Sequence, residues 1–164
     1  MGGRRRLADR LSFRTNVDYT RAVGAENVTF TIGYSGKSMA DFMTALRDAG
    51  VNLVVDIRAL PLSRKRGFSK TSLGESLSEA GIEYAHLRQA GNPYRSKKQD
   101  IERCLALYSA YIDERPDVVA AVEAAITGRR AALLCFEADA CECHRSVIGE
   151  RLKARDPRRR VWHI

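Results

Sequence analysis

Long hydrophobic runs are missing from this sequence. No stretch reaches the roughly 18 consecutive apolar residues that a membrane span requires, so no membrane partner is expected. No apolar run follows the opening Met1-Gly-Gly-Arg-Arg-Arg6, so no secretory signal is expected there. Arg6 stands where a myristoylation signal needs Ser or Thr. Cysteine is sparse as well. Cys104, Cys135, Cys141 and Cys143 are the four in 164 residues, in a chain too large to need disulfide staples. They are expected to be thiols or metal ligands in a reducing compartment, and the protein to be soluble and cytoplasmic. An internal repeat and a second domain are both lacking.

What is present fits one core. The chain has the length of one domain, and its 45% hydrophobic content is enough to fill one interior. The net charge of +8 is unevenly placed. Residues 1–14 carry five arginines against Asp9, and residues 151–160 carry six basic residues against Asp156. Residues 15–150 hold 17 basic and 18 acidic groups and are close to neutral. The excess lies in the two ends, where solvated tails are the ordinary explanation of a high isoelectric point. Two acid-free clusters remain inside: Arg58, Arg64, Lys65, Arg66 and Lys70, and Arg88, Arg95, Lys97 and Lys98. Near one crevice they would favour an anionic ligand; solvated loop charge is the plainer account.

Residues 1–27 read as a basic N-terminal extension and residues 28–164 as a single α/β domain. Val28-Thr-Phe-Thr-Ile32 is a β-branched run ending at Gly33. Ser38 and Asp41 form a capping box ahead of Met39, Phe42, Met43 and Leu46, and Gly50 closes that helix. The nearly continuous apolar run 51–57 reads as a strand covered on both faces. Leu73, Leu77 and Ala80 mark a short helix stopped by Gly81, and 82–85 is a third strand. Ile101, Leu105, Tyr108 and Ile112 form the next helical face. Pro116 starts another helix, with Val118, Val119, Val122 and Ile126 inside. Residues 131–136 are the fourth strand, a helix runs from about Cys143 to Leu152, and 161–164 is a last short strand. The alternation β-α-β-α-β-α-α-β-α-β predicts a three-layer sandwich with a mostly parallel sheet of about five strands.

Ligand crevices in such sheets lie beyond the carboxyl ends of the strands. Those ends carry Gly33, Tyr34 and Ser35; Asp56 and Arg58; His86; and Cys135 and Glu137, followed by Cys143, His144 and Arg145. Gly33-Tyr-Ser-Gly-Lys-Ser38 is not a phosphate loop, because Thr31 occupies the position where the first glycine belongs. Ser35 and the following helix start remain a candidate anion site, or a plain turn with an N-cap. Asp56 is either a general acid or base, or the ion-pair partner of Arg58. Cys143 is either inert packing or a thiol whose pKa a helix N-terminus lowers. His144 is an acid/base candidate or a cap, and Arg145 an anion ligand or half of a salt bridge. Zinc is not expected. Adjacent Cys143 and His144 would point about 100° apart on a helix, and paired C-x₂-C spacing is absent.

Thr31-Ile-Gly-Tyr-Ser35, Val54-Val-Asp-Ile-Arg58, Pro61-Leu-Ser-Arg64, Phe68-Ser-Lys70, Cys135-Phe-Glu137 and Cys143-His-Arg-Ser146 occur in that order. With them the chain, from about Val28 to its C-terminus, resembles the family catalogued as domain of unknown function 488. The family pattern has His where Tyr34 stands, and Cys141 falls outside it. The resemblance implies a Rossmann-like α/β fold and a shared polar site, without naming a reaction.

The main functional expectation is a site for a nucleotide, nucleic acid or other phosphorylated ligand. Gly33, Tyr34, Ser35, Arg58, Arg64, Lys70, Cys143 and Arg145 would bind it, and Asp56, Glu137 and His144 would be available for acid/base hydrolysis. Beside it stand a non-catalytic nucleic-acid-binding module that uses the basic ends, and a thiol-redox or metal-dependent protein centred on Cys135 and Cys143. Deleting residues 1–14 tests the module reading. The fold should persist, and the salt slope of DNA binding should fall by about 0.9 for each phosphate the segment neutralises. An unchanged slope in a filter-binding titration would exclude that segment as the binding element.

Overall fold

The computed structural model describes residues 27–94 and 100–164; the proposed basic extension, apart from Asn27, lies outside the described residues. The sheet has five strands: β1 (Val28–Gly33), β2 (Leu53–Asp56), β3 (Glu83–His86), β4 (Ala131–Cys135) and β5 (Arg160–His163). Their order is β3-β2-β4-β1-β5, and every pairing is parallel. Between them run α1 (Met39–Asp48), α2 (Lys70–Glu79), α3 (Ile101–Asp113), α4 (Pro116–Ile126) and α5 (His144–Arg155), with a 3-10 turn at Arg88–Ala90.

Local sequence accounts for the helix boundaries. Ser38 accepts from the Asp41 amide while the Asp41 carboxylate reaches back to Ser38, the reciprocal capping the sequence predicts. Pro116 is the first residue of α4, where its missing N–H costs nothing. Gly50 and Gly81 follow α1 and α2 at φ of 63° and 72°, which favour glycine.

Strand alternation then builds two cores. Phe30 and Ile32 of β1, Val54 of β2, and Ala132 and Leu134 of β4 meet Phe42, Met43 and Leu46 of α1 and Leu73 and Leu77 of α2. On the opposite face, Leu53, Val55, Ala131 and Leu133 meet Tyr108, Ile112, Val119, Val122, Ile148 and Leu152 of α3, α4 and α5. The result is an α/β/α sandwich, as the alternation predicts. Ile101 departs from its predicted inward face and is 51% exposed, since it opens α3 beyond the edge of the core. Among the described residues no helix is long and apolar enough to cross a membrane.

Chain direction positions the site. The segments leaving β1 and β2 go to the α1/α2 face, whereas those leaving β3 and β4 go to the other. Neighbouring strands whose continuations diverge leave a crevice at their carboxyl ends. That happens between β2 and β3 and on both sides of β4. Leu133, at the centre of β4, is fully buried. Replacing it with Ala should cost about 2–5 kcal/mol in urea unfolding; a cost below about 1 kcal/mol would remove β4 from the centre of the core.

Candidate functional site

β2 ends in a buried charge. The Asp56 carboxylate accepts the Arg58 amide at 3.0 Å, Arg58 Nε at 2.8 Å, Arg58 Nη2, and the Tyr84 hydroxyl at 2.7 Å. Arg58 Nη1 donates to the Phe68 carbonyl at 2.8 Å and to the Tyr34 hydroxyl at 3.2 Å. Both side chains are buried, at 2% and 0% exposure. Burial disfavours the Arg58 charge, but the Asp56 carboxylate outweighs it and holds the guanidinium above its ordinary pKa. Burial and the same carboxylate push the Tyr84 phenol up, so it remains a donor. Of the two sequence expectations for Asp56, the geometry gives the ion pair: its oxygens are occupied by structural donors.

Arg145, on the first turn of α5, is 1% exposed. Its Nη1 donates to the Glu137 carbonyl and its Nη2 to the Ala138 carbonyl at 2.9 Å, while its buried Nε has no partner among the described residues. It therefore ties the loop after β4 to α5. Gly33 closes the other side of that loop. A Cβ there would fall 1.7 Å from the Glu137 carbonyl oxygen, so no side chain fits. The Arg145 charge is also felt on β5. Burial, then Arg145 and Lys153, pull His163 below its ordinary pKa.

Between these two arginines lies the densest group of reactive atoms. Cys135 ends β4 on the α3/α4/α5 face, the side taken by Ala131 and Leu133. Cys143 is the N-cap of α5, with extended φ and ψ of −127° and 141°, and His144 is the first helical residue. This corrects the placement of Cys143 inside a helix. Its extended backbone lets its sulfur approach the neighbouring ring at 3.8 Å, so the expected divergence of about 100° does not arise. The expectation of no zinc rested on that divergence and on the absence of paired C-x₂-C spacing, and of these the first loses its geometric ground.

Cys135 Sγ donates to Glu137 Oε2 at 2.9 Å and lies 3.4 Å from His144 Nδ1. His144 Nε2 donates to the Ile57 carbonyl at 2.9 Å, and the Tyr108 ring packs edge-on at 5.1 Å. One donor atom from each of Cys135, Glu137, Cys143 and His144 lies within 4.8 Å of the others. Burial pushes the Cys143 thiol far up, opposite to the lowering a helix N-terminus would give. Burial lowers His144, but Cys143 and the Ile57 carbonyl outweigh it and raise the imidazole overall.

An open crevice of about 830 Å³ adjoins this cluster. Arg58, Ala59 and Leu60 after β2 form one wall, and Arg88, Gln89, Gly91, Asn92 and Pro93 after β3 form the other; Tyr111 and His144 complete it. Gly91 lets the walls meet, because a Cβ there would lie 2.3 Å from the Ala59 backbone. Arg88 is exposed and has no hydrogen-bond or ion-pair partner for its guanidinium among the described residues.

Of the residues singled out in the sequence, the crevice takes in Arg58, Arg88 and His144, with Cys143 and Glu137 in the same group as His144. Tyr34 is buried, stacked on Phe68 at 4.6 Å. The amide of Ser35 donates to the Phe136 carbonyl at 2.8 Å, and the start of α1 is already occupied by the Asp41 carboxylate. Arg64 and Lys70 are exposed on the loop before α2 and at its first residue, outside the crevice lining. Leu60, Gln89, Asn92, Pro93 and Tyr111 were not foreseen. The chain-breaking Gly91-Asn-Pro93 is the one sequence signal that points toward them.

The Asp56–Arg58 pair gives a sharp expectation. Asp56→Asn leaves a buried guanidinium uncompensated and should cost about 3–5 kcal/mol, whereas pairing it with Arg58→Met should recover most of the loss. Chemical denaturation of the two variants checks this; a double variant no better than the single would show that the charge is not the cause.

A family model described as Domain of unknown function DUF488 matches residues 38–152. No curated protein and no solved structure matches the chain. The match is shorter at both ends than the span suggested by the motifs: it includes β2, β4 and the start of α5 but leaves out Thr31–Ser35 and β5. It nevertheless covers well over half of the chain and takes in the buried ion pair, the thiol–imidazole cluster and both crevice walls; the chain belongs to the DUF488 family.

Proposed function

We propose that the crevice between the ends of β2 and β3 binds a small phosphorylated ligand of the nucleotide class. The exposed guanidinium of Arg88, without a partner among the described residues, in a crevice that also offers Ala59, Leu60, Pro93 and Tyr111, carries this reading. A volume of about 830 Å³ suits a ligand of that size. Ala59, Leu60, Pro93 and Tyr111 offer surface for a base, and Arg88 offers a planar fork for phosphate oxygens. Arg58 and Arg145 take part indirectly, because their donors are already engaged within the protein, those of Arg58 on Asp56 and Phe68 and those of Arg145 on the loop after β4. His144 lines the crevice, so the group of Cys135, Glu137, Cys143 and His144 adjoins the bound ligand.

The C-terminal basic segment gives less support to a nucleic-acid module. Arg151 pairs with Asp113, Arg155 and Arg159 pair with Glu123, and Arg158 pairs with Asp156, so much of that charge is matched locally.

Isothermal titration with ADP tests the crevice. Arg88→Ala should weaken binding by tenfold or more, the loss of a charge-assisted hydrogen bond worth about 1.5–3 kcal/mol. Stability should stay within about 0.5 kcal/mol, because the side chain is exposed. Binding unaffected by Arg88→Ala, or no binding of ADP to the wild type at millimolar concentration, would overturn the assignment.

A further inference from the structure

We infer that Cys135, Cys143, His144 and Glu137 form a zinc site, with the two sulfurs, His144 Nδ1 and a Glu137 carboxylate oxygen as ligands. The donor set is of the thiolate, imidazole and carboxylate types that zinc takes up in fours. Its spacing is also right. A tetrahedron with Zn–S of about 2.3 Å and Zn–N of about 2.05 Å separates sulfur from nitrogen by about 3.6 Å. The two sulfur–Nδ1 separations are 3.4 and 3.8 Å. Glu137 Oε2, now 2.9 Å from Cys135 Sγ, has to withdraw to about 3.6 Å. As the one ligand of the four that is not buried, it is the one able to move.

The surroundings are those of a metal ligand set. The Ile57 carbonyl can only accept, so His144 Nε2 carries a proton and Nδ1 is the ring nitrogen that faces both sulfurs. A backbone carbonyl on the far nitrogen is the usual outer partner of a metal-bound histidine. Charge provides a second, independent observation. Two thiolates and a carboxylate around Zn²⁺ leave one net negative charge. Next to them Arg145 is 1% exposed and, among the described residues, has no carboxylate partner and a bare Nε. Such a cation is costly by itself and is matched by the anionic zinc complex. His144 lines the crevice, which gives the ion a path inward.

The experiment uses the full chain, purified under reductant and free of nucleotide, so its outcome is independent of ADP binding. Elemental analysis should find about one zinc per chain. Cobalt(II) should give a thiolate-to-metal charge-transfer band with the intense visible bands of a tetrahedral centre. Cys135→Ser and Cys143→Ser should weaken zinc binding at least ~100-fold in chelator competition, beyond the loss typical of an outer partner. Cys141→Ser, at an exposed residue outside the cluster, should leave binding unchanged. Should a cysteine variant fail to fold, Glu137→Gln decides. This partly exposed residue should bind zinc more weakly while keeping the charge-transfer band of both thiolates. Three results would overturn the assignment: a wild type that binds no zinc against a micromolar chelator, an octahedral cobalt spectrum, or a Cys135–Cys143 disulfide that persists under reductant.

Discussion

Two opposite charges lie buried side by side at the end of β2, and much of the carboxyl edge of the sheet hangs on their pairing. Asp56 orders Arg58 through three donors, and Arg58 in turn holds the Phe68 carbonyl and the Tyr34 hydroxyl. The two carbonyls that follow Asp56 reach other elements: Ile57 fixes His144 of α5, and Arg58 fixes His86 of β3. Three consecutive residues thus tie the end of β2 to the end of β3, the start of α5 and the segment that follows β1. A buried ion pair is a weak indication of net stability, since desolvation offsets much of the attraction. Its contribution here is to geometry.

The fold was largely legible because it is written in short-range pattern. β-branched runs, one capping box, Pro116 and well-placed glycines define the elements with small errors at their ends. Even the facing of Cys135 follows from its parity with Leu133. The site was less legible because it depends on strand order. Nothing local says that β4 inserts between β1 and β2, and that insertion is what puts Cys135 beside β2, where His144 meets the Ile57 carbonyl. A one-residue shift of a helix start also mattered. Cys143 inside α5 and Cys143 as its N-cap aim the sulfur in different directions, and sequence rules do not resolve helix ends that finely.

The arginines show how a set of polar residues can mislead. Arg58 and Arg145 have the right chemistry for an anion clamp, yet both are among the most buried side chains and donate to the protein itself. Arg88 drew less notice in the sequence and is the one left facing the crevice. The local ion pairs of the C-terminal segment add little stability individually, because exposed pairs are worth at most about 1 kcal/mol. Their effect is to leave that surface less positive than the composition suggests.

The location of Cys135 has a kinetic consequence. β4 has hydrogen-bonded neighbours on both sides and helices over both faces, so its amides belong to the part of a protein that opens only with global unfolding. A group anchored there is not exposed by the fraying that opens edges and termini. Cys135 is fully buried and does not line the crevice, whereas His144 of the same group does, so the crevice is the side from which solvent approaches a sulfur held in the most slowly opening part of the fold.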